Sequence, residues 1–264
     1  MSAQPVAERG ASSVAVAGVA KSYLRNGRAM PAIAGVSLDV APGEFCSIVG
    51  PSGCGKSTLL MMIAGLYAPT AGSIRVDGAE VRRPLASVGM VFQRDVLLEW
   101  RSVLDNVLLP IEVKRRPKQA YREKALDLLD LVGLRAFADC YPEQLSGGMR
   151  QRVAICRALI HDPPLLLMDE PFGALDALTR EKINFDLMQL TAQTRQTVLF
   201  VTHSIDEAVL MSDRIVVMTP SPGRIFQTLR VAFDGPRTIE TRAEPHYVES
   251  VKEVRDAFHR MGVI

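Results

Sequence analysis

The chain has 264 residues, 48% of them hydrophobic, and its 31 Lys and Arg against 29 Asp and Glu leave a formal net charge of +2. That length and apolar content suffice to bury the core of one domain plus a subdomain, while so small a net charge argues against a broad electrostatic surface for nucleic acid or membrane. No window reaches the ~18 apolar residues that a bilayer span needs, so any work on a membrane must go through partners.

Residues 11–20 (Ala-Ser-Ser-Val-Ala-Val-Ala-Gly-Val-Ala) read as a first strand. They have the small apolar look of a secretory leader, but they lack leucine and a basic lead, and Tyr23 follows too closely for cleavage. Residues 45–49 (Phe-Cys-Ser-Ile-Val) read as a short buried strand, and Lys56 to Leu66 as a helix of good formers. Between them, Gly50-Pro51-Ser52-Gly53-Cys54-Gly55-Lys56-Ser57 matches G-x-x-x-x-G-K-[ST] in full. Glycines let backbone N–H groups turn inward, and the helix end adds positive potential, so this order of strand, loop and helix cradles phosphate. Lys56 is expected to reach the β- and γ-phosphates and the Ser57 hydroxyl to sit on Mg²⁺, with Thr58 following in the same nucleotide-binding set.

Asp77-Gly78 marks a hairpin turn. Val88 to Phe92 reads as a strand that ends at Gln93, by itself a loop residue. The string from Leu97 to Val107 holds the only Trp, Trp100, which serves either as an anchor between proteins or as core packing. Lys114-Arg115-Arg116-Pro117-Lys118 has no interleaved aromatics and reads as a solvated loop and helix start, not a nucleic-acid patch. Pro117 begins a stretch with Ala125, Leu128, Leu129 and Val132 at helical spacing.

Leu145-Ser146-Gly147-Gly148-Met149 would open a helix whose N-terminus attracts anions. If this second phosphate-binding end lies far from the first, it serves a neighbour's nucleotide. The chain then reads as an ATPase whose chemistry needs a dimer.

Leu165 to Met168, bounded by Pro163-Pro164 and Pro171, is an apolar run typical of a buried parallel strand. Asp169 and Glu170 at its end are costly to desolvate without a partner, and Mg²⁺ and a reacting water are suitable ones. Asp169 would hold the metal through water, and Glu170 would orient or deprotonate the attacking water. Asp176 reads in isolation as a helix N-cap. Thr197 to Thr202 forms a further apolar strand closed by His203; His161, His246 and His259 sit in contexts that read as loop or exposed helix. After Pro220 come a turn at Ser221-Pro222-Gly223, then polar and charged residues, then a final helix near Val248–Met261. Cys46, Cys54, Cys140 and Cys156 have no metal-ligand spacing and read as reduced thiols. Cys54, inside the phosphate loop, is expected to be open to oxidation or alkylation.

Taken together, these strings resemble the nucleotide-binding subunit of an ATP-binding cassette (ABC) transporter over residues 14–220. The resemblance implies an α/β fold: a P-loop NTPase core with a parallel sheet, an antiparallel β subdomain, and a helical subdomain inserted at 95–160. It implies one ATPase domain over 14–240 and a short C-terminal helical tail at 241–264. Gly50–Ser57 becomes the Walker A motif, Leu165–Glu170 the Walker B motif with catalytic Glu170, and Leu145–Met149 the signature. In the signature, Ser146 and Gly148 would meet the γ-phosphate of ATP held by the opposing subunit. Gln93 would touch Mg²⁺ and the water and link the site to the segment facing the membrane domain. His203 would contact the γ-phosphate and steady the glutamate–water pair, Asp176 would couple the two sites, and Tyr23 would stack on adenine. The implied cofactors are ATP and Mg²⁺. The implied partners are a second copy, two membrane-spanning permease subunits and, indirectly, a solute-binding protein, with no nucleic acid. The chain would sit on the cytoplasmic face of the membrane, held there through the permeases. The Leu-Leu-x-Trp string further resembles the importers of nitrate, sulfonate, taurine or bicarbonate, although Glu99 stands where that branch has proline. Two alternatives share part of the pattern. An ABC ATPase of a non-transport assembly would carry every nucleotide motif, whereas a small-molecule kinase would leave the signature and His203 unexplained.

Overall fold

The computed structural model describes residues 10–233, 235 and 237–263. In chain order the elements are β1 (Val14–Arg25), β2 (Arg28–Val40), β3 (Phe45–Val49), α1 (Lys56–Ile63), β4 (Ala71–Val76), β5 (Ala79–Glu80), β6 (Val88–Val91), α2 (Val103–Val113), α3 (Arg122–Leu131), α4 (Gly147–Leu159), β7 (Leu165–Asp169), α5 (Ala177–Thr194), β8 (Thr197–Val201), α6 (Ile205–Met211), β9 (Arg214–Met218), β10 (Ile225–Arg230) and α7 (Pro245–Arg260).

Strands β3, β7 and β8 are buried at every position, which requires cover on both faces of their sheet. That sheet has six strands in the order β10-β9-β3-β8-β7-β6. Its β3, β6, β7, β8 and β9 pair in parallel and β10 is antiparallel. Because side chains alternate along a strand, each strand feeds two cores. Leu165, Leu167, Leu199 and Val201 join α1 and the inner face of a second sheet. Leu166, Met168, Val198 and Phe200 join the helices on the other side. The second sheet is antiparallel, ordered β2-β1-β4-β5. The α/β expectation, with a separate antiparallel unit and inserted helices between β6 and β7, is met.

Local signals set the element ends. Asp77 and Gly78 adopt φ of 52° and 76° between β4 and β5, the double left-handed turn that suits the twist of a hairpin. Helix α1 stops at Ile63, short of the expected Leu66. Gly65 has φ 76°; its N–H donates to Met62 O at 3.0 Å, and Leu66 N–H donates to Met61 O at 2.9 Å. This glycine closure satisfies the last carbonyls.

Beyond residue 220 the structure corrects the expectation of a merely polar stretch. Residues 225–230 form β10, which pairs with β9. An edge strand buried only at Leu229 and half-buried at Ile225 and Gln227, with Gln, Thr and Arg among its apolar residues, does not stand out from a polar tail. Helix α7 packs on α6 and buries Tyr247, Val251, Val254, Ala257 and Phe258, and the Tyr247 hydroxyl donates to the Asp206 carboxylate at 3.0 Å.

His161 lies in the turn after α4, half-buried, and neither ring nitrogen has a partner. Burial, with the charge of Lys114 behind it, pushes its pKa down from 6.5 to about 4. Between those values the unfolded chain binds a proton that the folded chain refuses, so stability falls as pH drops through that window. The full loss is about 3 kcal/mol, with about 2 kcal/mol gone by pH 5. Urea unfolding at pH 7 and pH 5 should therefore show a larger drop for the parent than for His161→Gln. Equal drops would clear His161 of the effect.

Candidate active site

The expected site residues converge at the carboxyl ends of the parallel strands, where ligands of open α/β sheets bind. The phosphate loop leaves β3, Gln93 follows β6, Asp169 and Glu170 end β7, and His203 follows β8. Lys56 lies inside its own loop, only 6% exposed, and donates to Gly50 O at 2.8 Å and Pro51 O at 3.1 Å. Pro51, Ser52 and Gly53 form the outward rim of this cradle. Gly55 caps α1 with φ 99°, and a Cβ there would come within 2.7 Å of Ile33. The loop is thus shaped by positions that only glycine fits.

Tyr23, on β1, is half-exposed beside this helix. Its hydroxyl lies 3.2 Å from Thr58 Oγ1, and its ring meets Tyr67 edge-on at 6.4 Å between centroids. The Lys21 ammonium lies over the Tyr23 ring, 5.5 Å from its centroid, and a partly exposed aromatic ring next to the phosphate loop is the kind of surface on which a planar base stacks. Tyr67 was not singled out from the sequence.

Cys54 departs from the expected reactivity. Its side chain is fully buried, and burial raises the thiol pKa, with the nearby Lys56 opposing. A thiol both covered and protonated is a poor nucleophile, so the reading of Cys54 as open to oxidation or alkylation is withdrawn.

Ser57 Oγ donates to Asp169 Oδ1 at 2.8 Å. Burial raises the Asp169 pKa, with the Ser57 hydrogen bond opposing. Among the described residues no three His, Cys, Asp or Glu side chains gather around a possible metal. One hydroxyl and one carboxylate beside a phosphate cradle nevertheless fit Mg²⁺, which takes most of its oxygens from substrate phosphate and water.

Glu170 stands one residue further on, with φ 46°, a strained left-handed conformation for a side-chain-bearing residue. Its N–H is tied to Val201 O at 2.9 Å. Gln93 Nε2 donates to Glu170 Oε2 at 3.0 Å, and His203 Nδ1 lies 3.6 Å from the same oxygen. A partly exposed carboxylate fixed by an amide and faced by an imidazole can orient a water and take its proton.

Ser146 and Gly148 are not part of this cluster. Ser146 caps α4, its Oγ accepting from Met149 N–H at 3.2 Å. Helix α4 packs on α2, α3 and β6, and among the described residues no hydrogen bond joins 145–149 to the phosphate loop. A Cβ on Gly148 would meet Ala174 O and Leu175 at 3.1 Å, whereas one on Gly147 would meet nothing nearer than Arg150 at 3.9 Å. Nothing in this chain demands a glycine at 147. Asp176 caps α5 by accepting from Thr179 N–H at 3.0 Å. Trp100 is 74% exposed, which decides against core packing.

A further set of residues escaped the sequence reading. Thr202 Oγ1 donates to buried Glu207 at 2.6 Å, Arg180 Nε lies 3.8 Å from the same carboxylate, and Arg180 donates to Leu175 O at 2.8 Å. This chain of contacts joins the His203 loop to the loop before α5. The capping string Ser204-Ile205-Asp206-Glu207 was its one available signal.

Residues 33–173 match the family described as ABC transporter. A taurine import ATP-binding protein of Rhizobium johnstonii is 47% identical over 244 residues, covering 89% of this chain and 92% of that one. An aliphatic sulfonates import ATP-binding protein of Bacillus cereus is 38% identical over 252 residues, covering 96% and 98%. The dimeric post-hydrolysis structure of an ATP-binding cassette bound to ADP and Pi is similar with a TM-score of 0.76 and 34% identity, over 83% of this chain and 99% of that one.

Proposed function

Because the chain belongs to the ABC transporter family of ATP-binding proteins, and is accordingly an ATPase, we propose that it powers an importer of a small anionic solute of the nitrate, sulfonate, taurine or bicarbonate class. The observation that carries its dimeric mechanism is the signature end of α4. It presents a capped helix N-terminus and a glycine at 147 that its own protomer does not require, while a complete phosphate loop sits elsewhere in the same chain. The names of the taurine and sulfonate import relatives support the solute class.

In this reading the amides of Gly50–Ser57 and the Lys56 ammonium hold the phosphates of ATP, Thr58 sits beside them, and Tyr23 stacks on the adenine. Mg²⁺, held by Ser57 and Asp169 with Gln93 nearby, would offset charge building on the phosphates. Glu170 orients the water and accepts its proton, while Gln93 and His203 keep that carboxylate in place. Ser146 and the amides around Gly148 complete the site of a second copy, and Asp176 lies where the two sites meet. Closure and opening of the pair shift membrane partners between states, as differential binding requires. Among the described residues no helix is long and apolar enough to cross a membrane. Attachment to the cytoplasmic face then runs through two permease subunits, with exposed Trp100 as one anchor, and a solute-binding protein acts indirectly. Residues 14–240 act as the ATPase domain and 241–264 as a tail whose helix α7 packs on α6.

Dilution tests the core of this. ATP turnover per chain should fall in proportion to concentration once pairing is lost. A strictly monomeric preparation with undiminished turnover per molecule would end the proposal.

A further inference from the structure

Three side chains of α4 grip the residues that follow β6. Gln151 Nε2 donates to Phe92 O at 3.0 Å. Arg150 Nε donates to Asp95 Oδ2 at 2.9 Å. Arg157 donates through one guanidinium nitrogen to Val96 O and through another to Asp95 O, each at 2.7 Å. Positions 150 and 157 lie two turns apart on one helix face, so the contact is made along a length of helix and not at a point. Inside the gripped stretch sits Gln93, the donor to Glu170.

The backbone carries a second sign. Val96 has φ 47°, an outlier for a β-branched residue and one that persists only where the surroundings enforce it. Its carbonyl is one of the two that Arg157 holds. Burial lowers the Arg157 pKa, so this cation is kept partly desolvated in order to bind two carbonyls. The other end of α4 is Ser146, the expected contact for the partner's nucleotide.

We propose that Asp95, Arg150 and Arg157 are positioning residues that lock the signature helix and the Gln93 segment into one rigid unit, so that engagement of Ser146 by the partner's nucleotide sets whether Gln93 holds Glu170 in this chain's own site. The inference rests on the dimeric function above and deepens it. Each protomer carries an internal route from the nucleotide it completes to the nucleotide it hydrolyses. A shift of α4 draws Asp95 and Val96 with it, because three hydrogen bonds made along the helix weaken together when stretched. Coupling of this kind is a free energy shared between the two sites, and it appears as sigmoidal ATP dependence with a Hill coefficient approaching the number of sites.

The test uses the full chain in five forms beside the parent. Asp95→Asn keeps the shape and removes the charge that faces Arg150. Arg157→Lys keeps the charge but is shorter and lacks the planar fork whose two separate nitrogens meet Val96 O and Asp95 O. For each, the Kd of a fluorescent ATP analogue should stay within about twofold of the parent, kcat should fall about tenfold, and the Hill coefficient should drop from about 2 to about 1. Asp95→Glu should retain turnover and cooperativity, and the exchange Asp95→Arg with Arg150→Asp should regain cooperativity lost in Asp95→Asn. Parental kcat and cooperativity in both Asp95→Asn and Arg157→Lys would overturn the proposal. So would reduced kcat with the sigmoid intact, since that would mark the grip as mere scaffolding. Glu170→Gln assayed alongside separates this from its premise: full hydrolysis there removes the role of Glu170 itself, whatever the grip variants do.

Discussion

Glu170→Gln should bind ATP as the parent does, lose turnover by at least ~10²-fold, and accumulate as a closed dimer. The substitution is nearly isosteric. Gln93 can still donate to the remaining carbonyl oxygen, so the bond seen at 3.0 Å has a counterpart in the variant. The loop that places residue 170, with its N–H on Val201 O, is untouched. What goes is the one group that can take the proton of the attacking water, together with the negative charge facing His203. Binding and closure need the phosphate loop and the signature; bond cleavage needs the carboxylate. The two should come apart. Size-exclusion chromatography of the variant with ATP should give a dimer that reverts to monomer with ADP, while phosphate release stays near background. Hydrolysis at the parental rate would falsify the assignment of Glu170.

Ser146→Arg should abolish hydrolysis while each chain still binds ATP. Ser146 is the N-cap of α4, and losing such a cap costs about 1 kcal/mol, too little to unfold a domain of this size. The consequence is local: the hydroxyl and open amide end are replaced by a long cation that fills the space a partner's phosphate would enter. If Ser146 serves the nucleotide of the opposite protomer, as proposed, complementation follows. Mixing Ser146→Arg chains with Lys56→Ala chains should restore activity, since the mixed pair has one site built from an intact phosphate loop and an intact signature. Unchanged activity in Ser146→Arg alone would rule out the shared site.

The parts of this protein that local chemistry dictates were legible early. The phosphate loop, the turn at Asp77-Gly78 and the strand that ends in Asp169-Glu170 depend on backbone conformation and on residue type at fixed spacing, and a sequence displays both directly. Helix α1 ran three residues short of its expected end because the left-handed glycine at 65 outranked the helix preference of its neighbours. Strand β10 was missed because half-burial at a sheet edge leaves only a weak alternation of apolar and polar residues.

Other properties are settled by what surrounds a residue after folding. Cys54 is a poor nucleophile because the packed loop buries its thiol and burial outweighs the opposing charge of Lys56, and Trp100 is outward because the core closes without it. Gln93 meets Glu170 across 77 positions and Arg150 meets Asp95 across 55, separations at which a sequence read singly carries no pairing signal.

The amino-acid order alone therefore determined that phosphate is bound, that an acid waits beside it, and that a second anion-seeking helix end exists. The tertiary structure alone decided which thiol is shielded, which way Trp100 faces, and what ties the signature helix to Gln93. The division has a physical cause: conformation and spacing act between neighbours in the chain, whereas desolvation and charge pairing act through space.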